Sequence, residues 1–172
     1  MIISSTFKKV ATLKTICLML LSPPAFALES AKGDVLLKMS GQIEIFNTER
    51  AESQFDLDLL QSFPVTTIRT DTPWTDGIVV FEGVLVRDLL SAVKSSGQTL
   101  IAEDINDYFV TIPIEDAQQH DVIIAYKKSG EPMSIRDKGP LWIIYPWLDN
   151  PDLKTELHHS RAIWQLVHIR VE

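Results

Sequence analysis

Short apolar runs, each ended after a few residues by glycine, proline or polar side chains, follow one another along the chain from residue 35 onward. The runs at 65–69, 78–81 and 122–126 have the length of strands and are rich in β-branched residues. Apolar residues at helical spacing occur only briefly, for example at 86–93. This alternation predicts one α+β domain with a mostly antiparallel or mixed β-sheet and a few short helices.

Further elements are expected from the same pattern. The runs at 35–39 and 43–46 are separated by Ser40-Gly41-Gln42, which favours a hairpin. A short helix is expected after Asp56, whose side chain can cap it. The remaining segments are strands expected at 109–113, 141–145 and 163–171, the last with Trp164 in its core-facing middle, and one helical turn at 115–119.

The first 27 residues have the features of an export signal. Lys8, Lys9 and Lys14 come before the apolar run at 16–21, and Ala25-Phe26-Ala27 has the small-residue pattern of a cleavage site. The run is much shorter than the roughly 20 apolar residues of a membrane-spanning helix. We therefore expect a cleaved signal peptide at 1–27 and a periplasmic domain at 28–172. The alternative is an uncleaved anchor.

Charge and cysteine content exclude several classes of function. The formal net charge is −7, and the predicted signal contains three lysines and no acidic residue, so the remainder is more acidic still. Such a chain lacks the basic surface that binds nucleic acid or anionic membranes. The single cysteine, Cys17, lies within the predicted signal. Residues 28–172 can therefore form neither a disulfide nor a thiolate metal site.

Three blocks of sequence, at 63–90, 106–117 and 121–142, carry a resemblance to a known family. They include Phe63-Pro64, Trp74 and Gly139-Pro140-Leu141-Trp142. In order and spacing they resemble the oxidoreductase molybdopterin-binding domain of sulfite-oxidase-type enzymes, from about residue 35 to the C-terminus. The resemblance implies a sulfite-oxidase-like fold. In such enzymes one cysteine thiolate holds the molybdenum.

Two departures from this family argue against molybdenum catalysis. The cysteine is expected within residues 70–74, where the sequence is Thr70-Asp71-Thr72-Pro73-Trp74. Threonine is a poor substitute for a thiolate as a molybdenum ligand. The signal has Lys8-Lys9 rather than an Arg-Arg pair, so we expect Sec export of an unfolded chain without a preloaded cofactor. We therefore expect no bound metal.

The chain is similar, more closely, to small periplasmic members of the fold that lack the cysteine. The similar segments lie at 72–74, 136–146 and 160–166. The resemblance implies a pterin-binding sensory protein that signals to the periplasmic domain of a membrane-bound diguanylate cyclase or phosphodiesterase. Two alternatives remain open. One is a molybdopterin-dependent oxidoreductase without the cysteine ligand, and the other is a degenerate domain that binds only protein.

A pterin is a flat bicycle, so its face requires an aromatic partner and its polar edge requires donors and acceptors. Trp74 is the first candidate for stacking, because it follows a proline in a loop between two strands. The alternative is a loop tryptophan that covers the edge of the core. Thr70 and Thr72 flank it as candidate ligand residues, with ordinary turn chemistry as the alternative.

Charged candidates for the polar edge come from two loops. Arg136, Asp137 and Lys138 precede the rigid pair Gly139-Pro140, and the alternative is a solvated charged turn. Arg161 could donate to a carbonyl oxygen of the ligand, with a surface ion pair as the alternative.

Two aromatic candidates lie in the segment at 141–145. Trp142 is a candidate ligand residue, but the alternation of this segment favours a place in the core. Tyr145 ends the segment, so its hydroxyl could reach a pocket. His158 and His159 are adjacent, which does not suit chelation of one metal from a helix.

Overall fold

The computed structural model describes residues 28–172, so the predicted signal peptide at 1–27 lies outside the described residues. Within the described range the strands are β1 (Leu37–Gly41), β2 (Ser53–Phe55), β3 (Val65–Asp71), β4 (Ile78–Leu85), β5 (Thr99–Asp104), β6 (Phe109–Pro113), β7 (Ile123–Lys128), β8 (Glu131–Pro132), β9 (Trp142–Ile144) and β10 (Leu166–Val171). The helices of this range are α1 (Leu57–Gln61), α2 (Val86–Ala92), α3 (Ile114–Gln119) and α4 (Glu156–Arg161), with 3₁₀ turns at Ile135–Asp137 and Pro151–Leu153. None of the helices described is long and apolar enough to cross a bilayer.

The strands form two sheets. The first has the order β2-β1-β10-β5-β6 and is antiparallel except between β1 and β10, where Lys38 lies opposite His168 in a parallel pair. The second has the order β3-β4-β7-β8 and is antiparallel, with β9 also paired to β7. The expected α+β architecture with mostly antiparallel and mixed sheets is therefore confirmed.

The second sheet positions the site described below. Its central strand β7 begins with four buried residues, 123–126, because β4 and β9 flank it and both of its faces are covered. Gly83 of β4 lies so close to the Ile124 carbonyl that a Cβ atom would collide with it. A glycine is therefore required in β4 opposite the irregularity of β7, where the register passes from Glu82–Lys127 to Gly83–Ala125.

The hairpin expected at 35–46 is wrong. No strand is present at 43–46, and β1 pairs with β2 on one side and with the C-terminal β10 on the other. After Gly41, the Gln42 N–H donates to the Val171 carbonyl at 2.8 Å, so the chain keeps following β10 instead of turning back on β1. This pairing joins the two ends of the described chain.

Asp56 caps α1 as expected, and it also holds the N-terminal segment. Its carboxylate accepts from the Leu59 N–H at 2.8 Å and from the N–H groups of Lys32 and Gly33 at 2.7 Å each. These hydrogen bonds, of which that from Gly33 has the largest effect, lower the pKa of Asp56. The side chain is buried.

Candidate functional site

All four tryptophans lie in one connected network of aromatic rings, although they are far apart in the sequence. The Trp74 ring centroid lies 5.1 Å from that of Trp164 and 6.0 Å from that of Trp142. His159 joins these rings to Trp147, at 6.2 Å from Trp74 and 5.3 Å from Trp147. The fold thus gathers the side chains best suited to stacking against a flat ring.

The loop between β3 and β4 holds Trp74 at the surface of this network. The Thr72 hydroxyl accepts from the Trp74 N–H at 3.1 Å and contacts the Thr75 hydroxyl at the same distance. The Thr70 hydroxyl accepts from the Leu148 N–H at 3.2 Å. Both Thr70 and Thr72 are buried, whereas Trp74 keeps 36% of its surface exposed. The two threonines thus support the loop through hydrogen bonds, in line with the alternative of turn chemistry. Trp74 is the exposed ring of this loop.

Trp142 forms the floor of the network. It lies on β9, is fully buried, and donates from Nε1 to the Ala162 carbonyl at 3.0 Å. The core position favoured by the alternation is therefore correct. Trp164, expected inside a strand and in the core, lies before β10 and is only partly buried. It pairs with Trp142 through an isolated bridge, because the chain bends at Gln165, which has a positive φ of 53°.

Lys138 lies among three of these tryptophans. Its ammonium is 3.8 Å from the ring centroid of Trp164, 5.7 Å from that of Trp142 and 5.9 Å from that of Trp74. We call these three rings the aromatic cage. No carboxylate within residues 28–172 forms an ion pair with Lys138. Burial, and secondarily the charge of Lys128, lowers the pKa of Lys138.

The backbone around Lys138 is fixed independently of its side chain. Lys138 has a positive φ of 70°, its carbonyl accepts from the Gln165 N–H at 3.1 Å, and the Gly139 N–H donates to the Ser134 carbonyl at 2.7 Å. A Cβ at Gly139 would collide with the Met133 carbonyl. The loop therefore aims the lysine at the cage.

Arg136 and Asp137 differ from Lys138 in their exposure. Both are exposed in the 3₁₀ turn, and Asp137 takes part in the capping of that turn by Ser134, whose hydroxyl lies 3.3 Å from the Asp137 carboxylate. The solvated-turn alternative thus describes these two residues, but not the lysine that follows them.

A buried polar triad lies behind the aromatic network. The carboxylate of Asp116, on α3, accepts from the Tyr145 hydroxyl at 2.8 Å and from Arg161 Nη1 at 2.9 Å. The hydroxyl of Tyr145 is thus directed inward to an acid rather than into a pocket, and burial, followed by the charge of Asp116, raises its pKa. The ion pair of Arg161 is thus largely buried, whereas the sequence predicts a surface pair as the alternative.

Two buried donors of this region have no hydrogen-bond partner within the described chain. They are Nε1 of Trp147 and Nε of Arg161. Buried polar groups are nearly always satisfied, so each of these N–H groups requires an acceptor. A water or a ligand oxygen would supply it.

The sequence does not point to Asp116 as a site residue, and it raises His158 and His159 only for metal chelation, which their adjacency does not suit, not as partners of the aromatic rings. Both histidines are on α4 and pack against rings, since His158 lies 5.6 Å from Tyr145. Burial is the main cause that lowers the pKa of His158. Thr155 caps α4 by accepting from the His158 N–H at 3.3 Å, and a threonine followed by Glu156 could have indicated this helix. No comparable signal marks Asp116.

Known proteins with a similar sequence or structure identify the family of this domain. The family model described as "Oxidoreductase molybdopterin binding domain" matches residues 41–149, and the chain belongs to this family. Among solved structures, the chain is similar to the sulfane dehydrogenase SoxCD from Paracoccus pantotrophus, with a TM-score of 0.58 and 19% identity. The match covers 84% of this chain and 40% of that chain, so it shows the fold alone. Among curated proteins, no sequence matches this chain at a significant level.

The family binds molybdopterin, but the donor set of this chain does not fit a molybdenum centre held by a thiolate. Residues 28–172 contain no cysteine. In the loop where one is expected, the Thr70 hydroxyl is bonded to Leu148 and Asp71 is paired with Lys154 Nζ at 2.8 and 3.0 Å. Across the described residues, no three His, Cys, Asp or Glu side chains are grouped for metal binding. The aromatic rings, in contrast, suit the organic part of such a cofactor.

Proposed function

We propose that residues 28–172 form a periplasmic sensory protein that binds a pterin without molybdenum catalysis. The observation that carries the proposal is the partly exposed ring of Trp74, which belongs to the network of all four tryptophans. This network lies in a domain of a molybdopterin-binding family, but residues 28–172 lack the thiolate ligand. Stacking of a flat ring on an aromatic side chain contributes about 1–3 kcal/mol by analogy with nucleic-acid bases.

The turn that carries Lys138, whose ammonium lies 5.9 Å from the Trp74 ring centroid, also carries polar groups that suit the edge of a pterin. Its carbonyl oxygen requires a donor, which Arg136 can supply from the adjacent turn. Its neighbouring amino and ring N–H groups require a paired acceptor, and a carboxylate such as Asp137 has that geometry. Nε of Arg161 and Nε1 of Trp147 are buried donors without a hydrogen-bond partner among residues 28–172. The site therefore offers both a stacking face and hydrogen-bonding groups.

Replacement of Trp74 tests the stacking role. In a titration with neopterin, followed by pterin fluorescence, we expect Trp74→Ala to weaken binding by about 5- to 150-fold, which corresponds to about 1–3 kcal/mol. Phe46→Ala is the matched control, because Phe46 is also an exposed aromatic residue (42%) but lies outside the network. Equal affinities for wild type and Trp74→Ala would contradict the assignment.

The partner belongs to the same proposal. The chain is acidic, with a formal net charge of −7, so a docking partner with a basic periplasmic surface is favoured. By resemblance, that partner is the periplasmic domain of a membrane-bound diguanylate cyclase or phosphodiesterase. Binding energy of the pterin would shift the surface that the partner contacts. A pull-down in which neopterin does not change the amount of partner retained would contradict this role.

A second candidate is an oxidoreductase that uses molybdopterin without a cysteine ligand. The match of the family model to residues 41–149 favours it. This candidate requires molybdenum in stoichiometric amount, which elemental analysis of the purified protein measures. A third candidate, an adaptor that binds only protein, requires that neopterin fail to bind at all.

A further inference from the structure

The side chain of Lys138 is not needed to hold its own loop in place. Its ammonium lies nearest to Trp164, at 3.8 Å from the ring centroid, while its backbone is held separately by Gln165 and Gly139. Removal of the side chain from the cage would therefore leave the loop in place. The cage is built by rings that other contacts also hold, since Trp142 bonds to Ala162 and Trp74 to Thr72.

The interaction that retains the ammonium is weak enough to be exchanged. Within residues 28–172 the ammonium has neither a carboxylate nor a hydrogen-bonding partner, so the faces of the rings are its principal attraction. A cation over aromatic rings changes a binding constant by about 2- to 30-fold. The four-methylene stem can carry the ammonium to solvent with ordinary rotamer changes.

We propose that the three tryptophans form a cation-binding aromatic cage that the chain occupies with its own Lys138, and that an entering pterin ring displaces this ammonium. The proposal deepens the pterin-binding function proposed above and rests on it. The ammonium lies against the Trp164 face and 5.9 Å from the ring centroid of Trp74, so a pterin that stacks on Trp74 from the side of the cage must displace it. Lys138 is thus an internal competitor that sets the affinity of the site.

The cage itself is tested without a pterin. The Lys138→Ala variant, titrated with tetramethylammonium and followed by tryptophan fluorescence, is expected to show saturable quenching at least about 5-fold stronger than wild type. Lys128→Ala is the matched control, because it removes a neighbouring charge but leaves the cage occupied, and should behave as wild type. Equal quenching in Lys138→Ala and wild type would overturn the cage.

Displacement is tested with neopterin. We expect Lys138→Met, which keeps the length of the side chain but removes the charge, to bind neopterin about 2- to 30-fold more tightly than wild type. Lys138→Arg, which keeps a cation, should not gain affinity. Unchanged or weaker binding by Lys138→Met would overturn displacement, and weaker binding would make Lys138 a donor to the ligand. If tetramethylammonium binds Lys138→Ala as expected but no variant binds neopterin, the cage stands and the pterin function fails.

Discussion

At the scale of single residues, the site depends on how differently similar side chains are placed. The sequence offers both Arg136 and Arg161 as ligand donors, but Arg136 is exposed in a turn and Arg161 is paired with Asp116. The sequence also offers both Trp74 and Trp142 as ligand residues, and of these two only Trp74 retains a substantial exposed surface. Residue type indicated the chemistry available here, while burial decides which side chain can reach a ligand.

The Arg161–Asp116 pair allows a direct test of burial. Arg161 Nη1 lies 2.9 Å from Asp116, with the side chains 15% and 11% exposed. We expect Arg161→Met to lower the free energy of unfolding by about 3 kcal/mol, because it leaves a buried carboxylate without its cation. Arg170→Met is the control: Arg170 lies 2.8 Å from Glu172, but these side chains are 51% and 52% exposed. Its loss should cost less than about 1 kcal/mol. Equal effects in urea unfolding would contradict this account.

The buried carboxylate of Asp56 holds two segments at once, the N-terminal segment at 32–33 and the start of α1. Asp56→Ala removes acceptors for the N–H groups of Lys32, Gly33 and Leu59, and should destabilise the fold by about 2 kcal/mol or more. Because the folded pKa is lowered, this contribution is present above the ordinary value of 3.8 and is lost as pH falls through the folded pKa. The exposed Asp58, in the first turn of the same helix, provides the control Asp58→Ala. Chemical unfolding at neutral and acidic pH measures both, and equal losses would refute the role of Asp56.

At the scale of elements, the sequence predicts those helices and strands that are marked by their own residues, but not the pairing of strands far apart in the chain. The segments β3, β4 and α2 were indicated by runs of their own residues, and Asp56 marked the start of α1. The pairing of β1 with β10 joins residues near opposite ends of the chain, so the local turn at Ser40-Gly41-Gln42 suggested the wrong partner. No strand was expected at β5, and no helix at α4.

The site shows the same division. The segment at 70–74 is indicated by its tryptophan after a proline and by its place in the family resemblance, and the turn before Gly139 by its charged residues ahead of a rigid Gly-Pro pair. Helix α4 has no apolar periodicity over Glu156–Arg161, and its role comes from contacts with the rings of Trp74 and Trp147, which lie in loops, Trp74 far from the helix in the sequence. The inward direction of Tyr145 depends on α3, which supplies Asp116, and no feature near Tyr145 reveals that acid.

Helix α4 should make the fold sensitive to mildly acidic pH. Burial lowers the pKa of His158 below its ordinary value of 6.5, so the unfolded chain takes up a proton more readily than the folded one. The stability contributed by neutral His158 is full above pH 6.5 and declines as pH falls toward the folded pKa. We expect the free energy of unfolding to fall as pH is lowered through 6.5 toward the folded pKa, and His158→Gln to reduce that slope. His168→Gln, on β10, controls for loss of a histidine elsewhere. An unchanged slope in His158→Gln would contradict the assignment.

At the scale of the whole molecule, the described residues form two sheets and four short helices in the fold of the family. The cysteine that would bind molybdenum is absent from these residues. The hydrophobic core, rather than disulfides, stabilises the fold, and its buried side chains come from both sheets. The surface is acidic overall. These properties suit a domain that binds the organic ring of a cofactor and presents a surface to a partner, which is the function proposed here.

Native mass spectrometry of the protein purified from its host cells tests that function most directly. We predict an added mass of a few hundred daltons that is released on denaturation, shows pterin fluorescence and contains no molybdenum. Stoichiometric molybdenum in the bound species would contradict the central claim, because the chain would then hold a metal cofactor without a thiolate.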